Sequence, residues 1–167
     1  DMKKLTLALI AAIALAGCSG HEQKTEQTAG SREHEENKTA TAAAPVNTSD
    51  RFFANLDKED GIKSTASGLR YKAVKETEGD KPTPTSRVVV DYEGSFIDGN
   101  VFDSGKDIEF PLNGVIPGFS EGIRLMSPGS EYILYIPSDL AYGTRGAGDV
   151  IPPNSTIIFK VNLSEIK

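Results

Sequence analysis

The chain reads as an α+β domain in which an antiparallel sheet packs one helix on its concave face. Three features of the sequence predict this. Several stretches alternate apolar and polar residues with period two, as half-buried strands do. Only one segment in the second half carries convincing helical spacing. The order is strands, one helix, then strands, without the regular strand–helix alternation of a parallel sheet. No internal repeat is present.

Taken in order, "SDRFFANLDKEDGI" predicts a short helix over 50–61. Ser49 or Asp50 caps it, Phe52, Phe53 and Leu56 form its apolar face, and Gly61 ends it. "GLRYKAVKE" alternates through Leu69, Tyr71 and Ala73. In "RVVVDYEGSFIDGNVFD", Val88, Val90, Tyr92, Gly94 and Phe96 share one face. Asp98-Gly99 then signals a two-residue hairpin turn, both positions tolerating positive φ, and Val101-Phe102 begins the return strand. "IEFPL" reads as a separate short strand, its Pro111 marking an edge or a bulge. Pro117-Gly118 opens the main helix, Phe119, Ile123 and Met126 recur along it, and Ser127-Pro128-Gly129 stops it. "EYILYIP" is a buried strand, and "TIIFKVNLSEI" alternates through Ile157, Phe159, Val161 and Leu163.

The start of the chain carries different information. Residues 1–17 hold two lysines, an apolar run and a small-residue end, the pattern of an export signal; the apolar run is shorter than the roughly 20 residues a bilayer span needs. Cys18, the only cysteine, closes "LAGC", which resembles the lipobox of bacterial lipoproteins, where that cysteine becomes acylated. The resemblance, with Ser19 following, implies a lipid-anchored protein of the bacterial cell envelope, at the outer membrane and facing the periplasm or the cell surface. Residues 18–49 are rich in Ala, Thr, Glu, Gln and Lys, with Val46 the one large apolar side chain, too little to offset chain entropy. They read as a flexible tether, leaving 62–167 as the folded domain.

Absences restrict the chemistry. Both histidines, His21 and His34, precede the domain, as does Cys18. The domain therefore has no Ser-His-Asp or Cys-His nucleophile and no His- or Cys-based zinc site. The carboxylates of "DKED" lack the ligand spacing of a calcium loop. The net charge of −6 argues against a nucleic-acid partner. "AYGTRGAGDVIPPN" is glycine-rich but opens no helix, and its proline pair removes backbone donors, so it is not a phosphate cradle. No cofactor is implied. What remains is an apolar, aromatic-lined site. Such a site suits rotation about an X-Pro bond, which breaks no covalent bond and whose barrier of about 18–20 kcal/mol is lost amide resonance. The twisted amide is less polar than the planar one, so an apolar pocket favours it. A thousandfold acceleration requires only about 4 kcal/mol of differential binding.

"VVVDYEGSFIDGNVFDS", "FPLNGVIPGFSEGIRLMSPGSEYILYIPSDLAYG" and "IPPNSTIIFKVNL" strongly resemble FKBP-type peptidyl-prolyl cis-trans isomerases, and "GIKSTASGLRYKAVKETEGD" is similar to the start of the catalytic domain in the Mip-like class. The resemblance covers about residues 60 to 167. It implies a half-barrel sheet around a short helix, with the substrate proline entering between them, and proline-containing polypeptides and macrolide inhibitors as ligands. By motif, Tyr92, Phe102 and Asp103 would line the site. Val115 and Ile116 would edge its floor, the Ile116 N–H donating to the ligand. Phe119 would form the floor, Tyr142 would offer its hydroxyl to a substrate carbonyl, and Ile151 and Phe159 would complete the wall.

Three departures stand out. The family usually has Trp where Phe119 stands. The stretch between Phe102 and Phe110 is about four residues shorter than is common, leaving Lys106 and Ile108 as substitutes for a basic partner of Asp103 and for an aromatic wall residue. Mip-like proteins often have long dimer-forming helices before this domain, whereas only the short "RFFANL" helix is evident here, which implies a monomer. Two other readings stay open: a non-catalytic FKBP-like module that holds Pro-containing segments, and a surface interaction lipoprotein.

Overall fold

Period-two burial organises the sheet. The computed structural model describes residues 48–167; the leader, Cys18 and the tether up to residue 47 lie outside the described residues. Helix α1 spans Thr48–Leu56, followed by strands β1 (Ile62–Ser64), β2 (Arg70–Lys75), β3 (Arg87–Phe96) and β4 (Val101–Pro111), helix α2 (Pro117–Ile123), and strands β5 (Glu131–Ile136) and β6 (Ile157–Ile166). The six strands form one open sheet in the order β1-β2-β5-β6-β3-β4, every neighbouring pair antiparallel. This is the α+β class read from the sequence. Val88, Val90 and Tyr92 of β3, Leu134 and Ile136 of β5, and Ile157, Phe159, Val161 and Leu163 of β6 bury one face against α2. Each such side chain contributes about 1.5–3 kcal/mol of transfer free energy.

Helix α2 approaches the sheet closely because its sheet-facing side is glycine. A Cβ at Gly122 would fall 2.6 Å from Leu134 Cδ2 and 3.0 Å from its Cγ, and one at Gly118 would press on Ile136 and stand 3.1 Å from the Leu140 carbonyl oxygen. With both positions bare, Phe119 and Ile123 reach full burial. The helix ends at Ile123, earlier than the Ser-Pro-Gly stop suggests. A tighter turn continues to Met126, with Leu125 N–H donating to Gly122 O at 3.1 Å and Met126 N–H to Ile123 O at 3.0 Å. Met126 thereby keeps its predicted place in the core.

Other boundaries also differ. Helix α1 begins at Thr48, so Ser49 and Asp50 sit inside its first turn. The Thr156 hydroxyl donates to Ser49 Oγ at 2.9 Å, and Asp50 places negative charge where the helix dipole favours it. The helix stops at Leu56, and residues 57–61 are turn rather than helix. "IEFPL" is not a strand of its own but the end of the long edge strand β4, with Pro111 at its terminus, where a missing N–H costs nothing in the ladder. The hairpin turn is wider than two residues. Only Gly99 has positive φ (+90°), while the Asp98 carboxylate accepts from the Asn100 amide at 2.9 Å and satisfies the turn without a left-handed aspartate.

Gly122→Ala should show the reverse of ordinary helix propensity. Alanine normally gains nearly 1 kcal/mol in a helix, but overpacking against Leu134 should leave a net loss of about 1–2 kcal/mol, read as a lower denaturant midpoint at unchanged slope.

Candidate active site

Five aromatic rings converge above α2. Phe119 stands at the bottom, fully buried, with Phe159 at 5.1 Å (70°), Phe110 at 6.0 Å (85°) and Tyr92 at 6.4 Å (80°) between ring centroids. These are edge-to-face arrangements, the geometry aromatic quadrupoles prefer. Phe102, half-buried on β4, meets Phe159 edge-on at 5.8 Å. Gly94 makes room for that meeting. A Cβ there would lie 2.7 Å from both Phe102 Cζ and Phe159 Cε1, so its place on the inner face of β3 is a vacancy filled by two neighbouring rings. Val115 and Ile116 lead into α2, and Ile151 is buried in the same cluster.

Polar groups are few and placed at the rim. Tyr92 donates its phenol proton to Asp103 Oδ2 at 2.8 Å, and Asp103 Oδ1 accepts from the Ser104 amide at 2.9 Å. Burial, then the hydrogen bond to Asp103, pushes the Tyr92 phenol well above the usual tyrosine range. Burial and the nearby Asp103 charge raise Tyr142 as well. Both phenols are therefore neutral hydrogen-bond donors at neutral pH. All nine aromatic, aliphatic and acidic positions singled out for the site fall together. Tyr92, Phe102, Asp103 and Phe159 come from the sheet, Val115, Ile116 and Phe119 from the start of α2, and Tyr142 and Ile151 from the loop between β5 and β6.

That loop is pinned at several points. Ala147 N–H donates to Ile151 O at 2.8 Å, and Ile151 N–H returns to Ala147 O at 3.1 Å. Asn154 N–H reaches Gly143 O at 2.8 Å. Gly146 is required on two counts: its φ is +66°, and a Cβ there would strike the Ile151 carbonyl and lie 2.9 Å from Pro152 C.

The shortened stretch after Asp103 closes by a bulge. Tyr92 pairs with Gly105 and Val90 with Ile108, so Lys106 and Asp107 together face the single residue Asp91. Asp107 adopts φ +53° and its amide donates to the Asp91 carboxylate at 2.8 Å. Lys106 is exposed and makes no ion pair with Asp103, and no basic side chain among the described residues does. Lys106 thus does not serve as the substitute partner. Ile108 does pack against the core beside the site. Sequence reasoning missed Phe110, which is 6% exposed and touches both Tyr92 (5.5 Å) and Phe119. Its period-two spacing from Ile108 was the available signal.

The chain matches the family model of FKBP-type peptidyl-prolyl cis-trans isomerases over residues 78–164, and the model of the domain amino terminal to such isomerases over residues 1–73. It is 48% identical over 131 residues to the probable FKBP-type peptidyl-prolyl cis-trans isomerase FkpA of Neisseria meningitidis serogroup B, covering 76% of this chain and 48% of that protein. It is 52% identical over 120 residues to the FKBP-type 22 kDa isomerase of Escherichia coli, covering 70% and 58%. Among solved structures, a peptidyl-prolyl cis-trans isomerase of Pseudomonas syringae superposes with a TM-score of 0.71 at 32% identity, covering 78% of this chain and 99% of that one. The chain belongs to the FKBP-type peptidyl-prolyl cis-trans isomerase family. It spans about half the length of the two curated relatives.

The phenols also set an alkaline limit on stability. The Tyr132 hydroxyl, bonded to Glu76 at 3.0 Å, is pushed up to about 12, chiefly by burial, and Tyr92 lies higher still. Folded-state values above the unfolded 10.0 mean that this stabilisation is intact below pH 10 and drains away above it, as the unfolded chain ionises first. Chemical denaturation should give a midpoint that falls above about pH 10, and less steeply in Tyr92→Phe.

Proposed function

We propose that this protein is a membrane-anchored prolyl isomerase that acts on X-Pro bonds of exported polypeptides. The observation that carries the reading is the apolar cluster of rings around Phe119, with neutral phenols and one carboxylate beside it and no thiol or imidazole among the described residues. A proline ring seated on Phe102, Phe159 and Val115, with Phe119 closing the bottom, loses water that the planar, more polar amide needs more than the twisted one does. Differential binding of the twisted form then lowers the barrier. The Ile116 N–H and the Tyr142 hydroxyl hold the flanking carbonyls. Asp103 fixes the Tyr92 phenol and presents its charge to the substrate face. Macrolide inhibitors of the family compete for the same bowl.

The anchor reading rests on the leader and the "LAGC" motif at Cys18. Acylation there attaches the chain to the cell envelope, with outer-membrane placement following from Ser19. The tether gives the domain reach: with Thr48 and Ser49 taken up in α1, the remaining residues 18–47 extend, fully stretched, about 100 Å at ~3.3 Å per residue. In this reading, 62–167 is a monomeric catalytic unit.

Tyr142→Phe and Asp103→Ala should each lower kcat/KM on a proline-containing tetrapeptide by about tenfold or more, a loss of about 1.4 kcal/mol in transition-state binding, with circular dichroism unchanged. Wild-type rates in both variants would defeat the site assignment. Cys18→Ser should move the protein from the membrane fraction to the soluble one; retention would contradict acylation.

A further inference from the structure

A concavity of about 560 Å³ lies beside the aromatic cluster, a size that accommodates one or two large side chains with their backbone. The β3–β4 hairpin supplies Phe96 and Ile97, and the loop before β6 supplies Val150 and Pro152. The third wall is the first turn of α1, Thr48 and Ser49, held by the hydrogen bond from Thr156.

This groove is continuous with the bowl. The Phe96 ring stands 5.0 Å from that of Phe102, so the groove meets the candidate site at these two rings, and on the other side Val150 and Pro152 flank Ile151 in the chain. Apolar surface is also left open here. Val150, in the lining, is 40% exposed. Among the described residues, the one charged residue in the lining is Asp98. An acidic occupant is therefore disfavoured, and an apolar one with neutral or basic neighbours is favoured.

We propose that this groove binds an apolar segment of the client polypeptide a few residues from the proline being isomerised, making Ile97, Val150 and Pro152 specificity determinants. The proposal rests on the prolyl-isomerase reading. It adds a substrate class to it: extended chain with a large apolar side chain flanking the proline, the kind of segment exposed before a protein folds. At about 3.3 Å per residue, two to four residues of client chain bridge bowl and groove. The first turn of α1 limits how far the client can extend.

The test uses the full chain and three peptides: Ala-Leu-Pro-Phe, and two fluorescent decapeptides that carry either Leu or Asp two to four residues on each side of one proline. Binding is read by anisotropy and turnover by cis/trans exchange, so the groove and the isomerase fail separately. The Leu decapeptide should bind about tenfold tighter than the Asp decapeptide. Val150→Asp and Ile97→Asp should each erase that preference while leaving tetrapeptide turnover within twofold of wild type. Equal affinities for the two decapeptides, or a preference that survives both substitutions, would overturn the groove assignment. A Leu preference that emerges only in Val46→Asp would give the groove to the chain's own segment before Thr48 and overturn the client assignment. Absence of tetrapeptide turnover alongside an intact Leu preference would refute the isomerase and retain the groove.

Discussion

The contact between Phe119 and three strands holds the rest of the structure in place. Its ring meets Tyr92 of β3, Phe110 of β4 and Phe159 of β6, all close to perpendicular. Such pairs contribute roughly 0.5–1.5 kcal/mol each beyond their buried area. One side chain thereby ties α2 to half of the sheet and forms the base of the candidate site. The contact exists only because the helix can come close enough, which the bare faces of Gly118 and Gly122 allow. Stability and site geometry are thus not separable here. What presses the helix onto the sheet also shapes the base of the candidate site.

The same economy appears at the rim. Asp103 receives the Tyr92 proton and the Ser104 amide, and its charge reaches Tyr142. In a site without a general base this is the one charged side chain of the constellation. With no cation paired to it among the described residues, its field is directed at whatever occupies the bowl. The shortened stretch after it is absorbed by a bulge at Lys106-Asp107, so β4 continues as an edge strand and delivers Ile108 and Phe110 to the core. The bulge offsets the β3–β4 pairing by one residue, from Val90 opposite Ile108 to Tyr92 opposite Gly105, and the antiparallel ladder continues on both sides of it.

Much of this was legible in the sequence, and for a physical reason. Strands buried on one face must alternate, so β3, β5 and β6 were readable from Val88–Val90–Tyr92, "EYILYI" and Ile157–Phe159–Val161–Leu163. The candidate site residues could be proposed because they carry motifs of fixed order, and the structure brings their elements together around Phe119. Less legible was anything decided by tertiary contact. The first turn of α1 is bonded through Ser49 to Thr156, more than 100 residues away. The fusion of "IEFP" into β4 rests on its pairing with β3, Ile108 opposite Val90 through Pro111 opposite Arg87. Phe110 looked like a strand residue with no site role until its ring was placed between Tyr92 and Phe119. The groove at Phe96 and Val150 could not be read at all, since its walls come from three separate segments.

In this account an apolar cluster of rings, with neutral phenols and one carboxylate beside it, turns prolyl bonds. The most direct measurement is magnetisation-exchange NMR on Ala-Leu-Pro-Phe with a substoichiometric amount of the full chain. Uncatalysed interconversion takes tens to hundreds of seconds. The account expects cis and trans resonances to exchange on a timescale of about a second or less, with shifts reported by the rings of Phe102 and Phe159. Exchange at the uncatalysed rate while those same rings report peptide binding would contradict it and leave a binding module in its place.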